Sequence, residues 1–409
     1  MVQPQKTLNI EKVLESRLKI LQDHNKLIGP NLKSVFTGKA LIDWLHENLN
    51  PDNLEREALV RLVQEELFDR SLAHQLIYPV EQGEAFKDSE KTFYRFMEDQ
   101  FKEYKKDKGI LNLYGNDTSS CQFFYEAEGE PISKILEEFK SIVEEIYASY
   151  LDETKVRVDY LRLEESEAFN TRFIPIVIKL AYTDISPLLE DPNQIKAFFI
   201  NIYNILTIHG IIALFRKKNK LDVSLLDRAD FYISYQYNIG GHNYTLNDIA
   251  QGIFRKNSSL GSNATSTVLE YAFGTKAKND RFSGNDPRIK FVLSYLDPRI
   301  HFALNPGVLF GCGLKYYTVE DIDNQLDISA TEFCSSFTVL TMENNKAFFN
   351  VHEVFKFYGF DFAKNEEQLI NYILSYKREG EDKDKILREL DGNNLQLKYL
   401  KFIWDLNKI

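Results

Sequence analysis

The residues best suited to covalent chemistry lie in one short stretch, DPRIHFALNPGVLFGCG, which runs from Asp297 to Gly313. Cys312 stands between two glycines, and His301 lies upstream in an apolar run, IHFAL, that has the character of a strand. A cysteine nucleophile needs a stabilised thiolate and a nearby base, most often histidine. The alternative is that Cys312 fills a crowded turn and that His301 is a core histidine bonded to a backbone carbonyl. The stretch therefore predicts either a thiol active site or the backbone of such a site without its reactive groups.

A second group of polar residues interrupts the apolar segment 197–215, which is about long enough to span a membrane. Asn201, Asn204 and His209 would each be costly in hydrocarbon, so we expect a helix buried in a protein core. His209 is a further candidate base or a second satisfied core histidine. The asparagines share one helix face and either clamp neighbouring backbone or line a pocket. The candidate pocket residues are Asn201, Asn204, Asn305 and Gly307.

Composition limits the classes of partner. The chain of 409 residues has a formal net charge of −11, which disfavours binding to a nucleic-acid backbone. Three scattered cysteines do not form a disulfide framework, and the N-terminus lacks the apolar core of a secretory signal, so we expect a cytoplasmic protein. No His-Glu-x-x-His, paired CxxC, calcium loop or phosphate-binding loop occurs in the sequence. We therefore expect no metal and no cofactor.

The first hundred residues predict helices at 10–23, 39–49 and 53–72, followed by short strands at 74–80 and 91–97. This order, with the residues that accompany it, resembles a DEP domain over residues 12–98. The resemblance implies a winged-helix-like fold that attaches signalling proteins to membranes, receptors or partner proteins. The matching residues are Val35, Phe36, Thr37-Gly38, Ala40 to Leu45, Arg56-Glu57-Ala58, Leu67, Phe86-Lys87-Asp88 and Phe93 to Phe96.

The charges of this domain favour one kind of partner over others. Glu55, Glu57 and Glu65 make its third helix acidic, which argues against DNA. Only Lys33 and Lys39 stand near the turn where a basic, membrane-binding patch could form. We expect docking to a protein partner more than to a membrane, with these two lysines as candidate docking residues.

The rest of the chain predicts a second, larger domain. Residues 1–11 form an N-terminal extension, 99–128 a polar linker, and 129–409 one mixed α/β domain without an internal repeat. Within it, the polar segment 255–286 is typical of a long surface loop. The predicted fold class of the whole chain is α+β.

This larger domain resembles the family known as domain of unknown function 547. The blocks that carry the resemblance are VDYLRL (158–163), AFFINIYN (197–204) through His209, YNIGG (237–241), YTLNDI (244–249), DPRIHFALN (297–305), Tyr317, VHEVFKFYGFDF (351–362) and FIWDLN (402–407). The family is regarded as hydrolase-like, and the resemblance implies a papain- or transglutaminase-like fold.

The positions where that family carries chemistry differ in this chain. Pro306 stands where family members have a cysteine, and Ala250 and Gln251 replace an acidic residue and a histidine. Ile403 replaces a further aspartate. Proline cannot attack a substrate, and glutamine is no base near neutral pH. The resemblance therefore implies a pseudoenzyme.

Three hypotheses follow for the function. The first is a non-catalytic signalling or scaffold protein, in which the N-terminal domain docks to a partner or membrane and the second domain is a binding platform. The second is an active thiol hydrolase or acyl transferase that uses Cys312 with His301 or His209. The third is a structural component of a larger assembly.

Overall fold

The structure of the protein is a computed structural model. It describes residues 36–49, 54–68, 77–79, 85–96, 109–112, 130–218, 231–257, 281–309, 313–400 and 405–409. The predicted extension 1–11, the helix at 10–23, Lys33, Cys312 and Ile403 lie outside these residues. The described chain mixes helices and strands, which confirms the predicted fold class.

The N-terminal domain combines two helices with a small sheet. Its elements are β1 (Phe36–Thr37), α1 (Gly38–Asn48), α2 (Arg56–Val63), β2 (Ile77–Pro79) and β3 (Phe93–Phe96). The strands pair antiparallel in the order β1-β3-β2. Helix α1 begins at Gly38 because the Thr37 hydroxyl accepts a hydrogen bond from the amide of Ala40 at 3.2 Å. Helix α2 continues into a π-helical turn, Gln64–Phe68.

The centre of the larger domain is built on one long buried helix. Helices α3 (Ile132–Tyr150), α4 (Tyr160–Glu164) and α5 (Ile174–Lys179) share one apolar core with α6 (Pro192–Lys218). Helix α6 is long and apolar enough to cross a membrane, but 89% of its most apolar stretch is buried inside the protein. Helix α6 is therefore the buried core helix that Asn201, Asn204 and His209 predict. A π-helical segment, Ala168–Phe173, and short 3-10 helices, Leu180–Tyr182 and Ser186–Glu190, join these elements.

A tight hairpin follows the core helix. Strands β4 (Gln236–Ile239) and β5 (His242–Thr245) pair antiparallel. Gly240 and Gly241 connect them with φ of +57° and +83°, which a two-residue hairpin turn of this hand requires. The chain then enters a buried π-helical segment, Asp248–Phe254. The hairpin thus delivers this segment to the core at a defined register.

The C-terminal part forms a separate apolar cluster around a sheet. Helix α7 (Ile322–Ser336) leads into β6 (Thr338–Glu343) and β7 (Lys346–His352), which pair antiparallel. Four helices, α8 (Val354–Phe357), α9 (Gly359–Phe362), α10 (Glu366–Tyr376) and α11 (Glu381–Asp391), then lead to β8 (Leu395–Leu400). Strand β8 pairs parallel to β7, which gives the order β6-β7-β8.

The apolar run IHFAL (300–304) is not a strand. Pro298–Phe302 forms a 3-10 helix, so the prediction of a strand at IHFAL is wrong. Asp297 precedes the helix, and its side chain accepts a hydrogen bond from the amide of Arg299 at 3.1 Å. Proline at the first helical position has a fixed φ that suits a helix start. The Asp-Pro pair therefore overrides the β preference of the apolar residues that follow. A second 3-10 helix, Pro287–Phe291, begins in the same way after Asp286.

The two domains share an apolar cluster. Residues Ile178, Ala181 and Tyr182 of the larger domain join the buried core of the N-terminal domain. Ile110, within the predicted linker, belongs to the same cluster. Asn112, also in that segment, donates hydrogen bonds to the carbonyls of Val177 and Asn238, each at 2.7 Å. These residues fasten part of the connecting segment to the larger domain.

Substitution of Gly307 by alanine is expected to destabilise the larger domain. Its φ is +77°, and an added Cβ would lie 2.7 Å from Cδ1 of Ile211. Left-handed backbone at a residue with a side chain costs about 1–3 kcal/mol. Urea unfolding should show a free energy of unfolding that is lower by this amount in Gly307→Ala. Gly284→Ala is the control, because no atom lies within 4 Å of its added Cβ, and an equal loss in both variants would contradict the prediction.

Candidate functional site

A small pocket opens where the central helical body meets the C-terminal sheet. Its volume is about 80 Å³. Three separate parts of the chain, residues 246–255, 296–306 and 352–358, supply most of its wall. The predicted positions His301, Pro306, Ala250 and Gln251 all line this pocket, although they are distant in sequence.

His301 is held in a fixed orientation. Its Nε2 lies 2.7 Å from Oδ2 of Asp361, and its ring stacks on Tyr358 with a centroid distance of 4.1 Å. Phe362 packs against the same ring from a centroid distance of 5.3 Å. Since Asp361 and Tyr358 both come from the α8–α9 region, one short stretch of chain orients the imidazole. A carboxylate that orients a histidine is a recurrent arrangement in catalytic sites.

The carboxylate of Asp361 is shared with a buried guanidinium. Arg255 donates to it twice, from Nε at 2.5 Å and from Nη2 at 2.8 Å. The remaining Nη1 donates to Oε1 of Gln251 at 2.6 Å. Arg255 and Asp361 are both almost fully buried, so each charge depends on the other for its solvation.

The electrostatics of the cluster favour a neutral imidazole. Burial lowers the pKa of His301, and the bond to Asp361 offsets only part of that effect. Burial alone would raise the pKa of Asp361, but the hydrogen bonds from Arg255 and His301 hold the pKa well below its usual range. Because Arg255 already balances the carboxylate, His301 donates Nε2–H and keeps Nδ1 as an acceptor.

Asparagine side chains pin the loop that carries Pro306. Asn204 of α6 donates to the carbonyl of Ala303 at 3.0 Å and accepts from the amide of Asn305 at 2.8 Å. Asn305 in turn accepts from the amide of Gly307 at 2.9 Å. The Tyr232 hydroxyl donates to the carbonyl of Pro306 at 2.7 Å. These bonds hold the proline ring against the pocket, where it offers no reactive group.

The other candidate residues lie away from this pocket. Asn201 clamps both backbone groups of Tyr317, at 2.7 and 2.9 Å. His209 is buried between aromatic rings, with Nδ1 2.9 Å from the hydroxyl of Tyr237. Lys39, on the N-terminal domain, forms an ion pair with Glu90. The structure thus brings His301, Pro306 and Gln251 together but places Asn201, His209 and Lys39 in other surroundings.

The residues that orient His301 were not predicted from the sequence. Arg255 lies at the start of the predicted surface loop 255–286, yet its side chain is buried, and so are Asn257 and Phe282. Asn257 holds both backbone groups of Phe282, at 2.8 and 2.6 Å. The prediction of a surface position is therefore wrong for these three side chains, whereas Lys256 and residues 283–285 lie in exposed turns, as predicted. The sequence signal for Arg255 was its position four residues after Gln251, a spacing at which two side chains meet on one face of a helix.

Metal ligands do not converge in the described parts of the chain. Among those residues, no group of three or more His, Cys, Asp or Glu side chains could hold a metal ion. The acidic and basic side chains of the pocket instead satisfy one another.

Comparison with known families identifies two regions. Residues 20–96 match the domain found in Dishevelled, Egl-10 and Pleckstrin, the DEP domain. Residues 189–334 match DUF547, a family of proteins of unknown function. The resemblance blocks at 158–163, 351–362 and 402–407 lie beyond the matched residues. No curated protein and no solved structure matches the chain.

Acid is expected to destabilise the protein through its buried histidines. Burial lowers the pKa of His209 to about 3 and that of His352 to about 4. Below about pH 6.5 the unfolded chain binds protons at these positions that the folded chain does not, so stability falls as pH falls. Each such histidine contributes a slope of up to about 1.4 kcal/mol per pH unit until its folded pKa is reached.

Urea unfolding of the His209→Gln variant between pH 7.5 and 5 checks this slope. The variant should be less stable at neutral pH but less sensitive to acid than the wild type. Tyr237→Phe is the matched control, because it removes the hydroxyl partner and leaves the imidazole. An unchanged slope in His209→Gln would contradict the prediction.

Proposed function

Because this chain carries a DEP domain followed by a DUF547 domain, we propose that it is a cytoplasmic, non-catalytic signalling or scaffold protein. The DEP domain docks to a protein partner, and the larger domain is a binding platform whose pocket holds a ligand without converting it. The observation that carries the proposal is the chemistry of the residues that line the pocket.

The pocket keeps an oriented histidine without a partner for nucleophilic catalysis. Pro306 and Gln251 occupy the wall near His301, and the described lining residues include no cysteine, serine, threonine or lysine. Two phenols of the wall are poor nucleophiles, since burial raises the pKa of Tyr203 well above its usual value and that of Tyr358 to about 12. A nucleophile and its base act as a unit, and loss of one costs most of the rate.

The charges of the DEP domain support docking to a protein. The Lys39 ammonium is paired with Glu90, and Arg56 is held by both Asp43 and Asp88. These two basic groups are therefore neutralised, whereas Lys87 and Lys91 beside the same turn are exposed and form no salt bridge among the described residues. Anionic lipid attracts proteins through unpaired lysine and arginine near the surface, and the pairing of Lys39 and Arg56 reduces that attraction at this face.

Vesicle sedimentation tests the docking mode. The full chain should remain in the supernatant with vesicles of phosphatidylserine and phosphatidylcholine, as it does with phosphatidylcholine alone. The control is Glu90→Gln, which releases Lys39 from its ion pair and should increase the pelleted fraction. Salt-sensitive sedimentation of the wild type that Lys39→Ala abolishes would overturn docking to protein in favour of lipid.

A second candidate function has one observation in its favour. The His301–Asp361 pair has the geometry of a base oriented by a carboxylate. In this alternative, Cys312 supplies the thiol of a hydrolase or acyl transferase. The buried Cys334 cannot take that role, because burial raises the pKa of its thiol to about 12.

Alkylation with iodoacetamide distinguishes the two functions. Peptide mass spectrometry separates the reaction of Cys312 from those of Cys121 and Cys334. For the non-catalytic protein, the reaction of Cys312 should rise with pH near about 8.5, as for an ordinary thiol. A thiolate that reacts fully below about pH 7, and that His301→Asn slows while Asn201→Asp does not, would establish the thiol enzyme instead.

A further inference from the structure

The imidazole of His301 has one nitrogen that the protein itself does not use. We propose that the pocket binds an uncharged hydroxyl group attached to a small hydrocarbon, and that this hydroxyl donates a hydrogen bond to Nδ1 of His301. The inference rests on the proposed function, in that it assumes that the pocket holds its ligand without converting it. It adds the chemical class of that ligand.

The bond to Asp361 leaves Nδ1 as the open acceptor of the ring. Nε2 donates to Oδ2 of Asp361 at 2.7 Å, so the neutral imidazole has its proton on Nε2 and a lone pair on Nδ1. The His301 side chain exposes 10% of its surface and lines the pocket. Among the described residues Nδ1 has no hydrogen-bond partner, and it is open to water, whereas Nδ2 of Asn247 and Nε2 of Gln251 are closed off from it. Nδ1 is therefore available to a ligand in the pocket.

The acceptor is held in place before any ligand binds. Tyr358 stacks on the ring at a centroid distance of 4.1 Å, and Asp361 fixes the opposite nitrogen. Arg255 in turn holds Asp361 with two hydrogen bonds, at 2.5 and 2.8 Å. A group that is already oriented loses little conformational freedom on binding, so one hydrogen bond to it contributes more of its energy to affinity.

The charges around the pocket favour an uncharged donor. Arg255 is neutralised by Asp361, and Asp297 by Arg299, whose Nη2 lies 2.7 Å from Oδ2. An ammonium group could also donate to Nδ1, but it would meet no unpaired carboxylate among the described lining residues. Burial of an unpaired ion is far more costly than burial of a hydroxyl. A neutral donor is therefore the better fit.

Tyr203 favours a hydroxyl over an N–H group that can only donate. Its side chain lines the pocket and exposes 5% of its surface, and its hydroxyl is open to water without a hydrogen-bond partner among the described residues. Burial raises the pKa of this phenol well above its usual value, so the group keeps its proton and remains a donor. A ligand hydroxyl both donates and accepts, which matches a pocket that offers an acceptor and a donor.

The size and the apolar part of the wall complete the description. Hydrocarbon side chains make up much of the lining: Leu246, Ala250, Phe254, Ile300, Leu304 and Val354. A volume of about 80 Å³ exceeds the space of one water but is below the ~150 Å³ cavity that binds benzene. A group on the order of four non-hydrogen atoms fits, which includes a free small alcohol and the side chain of a threonine.

Ligand-observed NMR with 1-propanol and ethyl methyl ether, in sealed tubes, tests the class. The two probes are isomers with the same non-hydrogen atoms, but only the alcohol can donate a hydrogen bond. The full chain should bind 1-propanol about fivefold more tightly than the ether, a ratio that corresponds to one hydrogen bond. In protein with isotope-labelled histidine, 1-propanol should also shift the nitrogen signal of Nδ1 of His301, and the ether should leave it in place.

A variant connects the binding to Nδ1. His301→Gln keeps an N–H group toward Asp361 but has no acceptor at the position of Nδ1, so the affinity for 1-propanol should fall about fivefold and that for the ether should stay the same. Retained binding of the ether shows that the pocket of the variant is intact. His46→Gln, exposed on α1, is the matched control and should bind both probes as the wild type does. If His301→Gln bound neither probe, the Nδ1 signal of the wild type would decide.

Capped amino acids distinguish the source of the hydroxyl. Threonine and valine have nearly the same shape, so competition against 1-propanol by capped threonine and not by capped valine assigns the hydroxyl to the side chain of a protein partner. Binding of 1-propanol with competition by neither amino acid assigns it to a free small alcohol.

The outcomes separate this inference from the proposed function. Absence of 1-propanol binding, equally tight binding of the ether, or an Nδ1 signal that 1-propanol leaves unmoved would overturn the inference alone. Acyl transfer from p-nitrophenyl acetate to 1-propanol, with release of p-nitrophenol and formation of propyl acetate, would overturn the non-catalytic proposal if His301→Gln abolished it. Binding of intact 1-propanol that His301→Gln weakens would support both.

Discussion

The contact on which the pocket depends is the buried carboxylate of Asp361, shared between Arg255 and His301. It joins three segments that are far apart in the chain: the π-helical segment after the hairpin, the 3-10 helix that carries His301, and α9. Loss of one member of a buried ion pair typically costs about 3–5 kcal/mol, because the other charge remains in a medium that solvates it poorly. The same contact fixes the imidazole, the guanidinium and, through Arg255, the amide of Gln251.

Helix α6 holds the loops that lie next to the Asp361, Arg255 and His301 cluster. Its asparagine side chains form hydrogen bonds with backbone groups of loops that have no regular secondary structure. Asn204 bonds to Ala303 and Asn305, and Asn201 bonds to Tyr317. A buried amide that satisfies one carbonyl and one amide of a loop removes two unpaired polar groups at once. The apolar faces of the helix can then be buried without strain in the loops, and the Pro306 loop is held rigid at the pocket wall.

The position of the DEP domain follows from hydrophobic packing. Its core continues into Ile178, Ala181 and Tyr182, and Ile110 of the connecting segment joins the same cluster. Burial of apolar surface contributes about 25 cal/mol per Å², so a shared cluster of this kind resists separation of the domains. The shared cluster therefore fixes the DEP domain relative to the larger domain.

The sequence by itself determined the features that depend on a single local cause. Periodicity predicted the helix at 39–49 that forms α1, and the polar residues of the apolar segment 197–215 predicted the burial of α6. The family resemblance singled out positions 250, 251 and 306, which line one pocket. Only the tertiary structure decided what surrounds His301. Asp361, Arg255 and Tyr358 come from distant segments, and hydrogen bonds and ring stacking depend on distances that sequence order does not specify. The 3-10 helix at 298–302 is a different case, since its Asp-Pro start is a local sequence signal that outweighs the β preference of IHFAL.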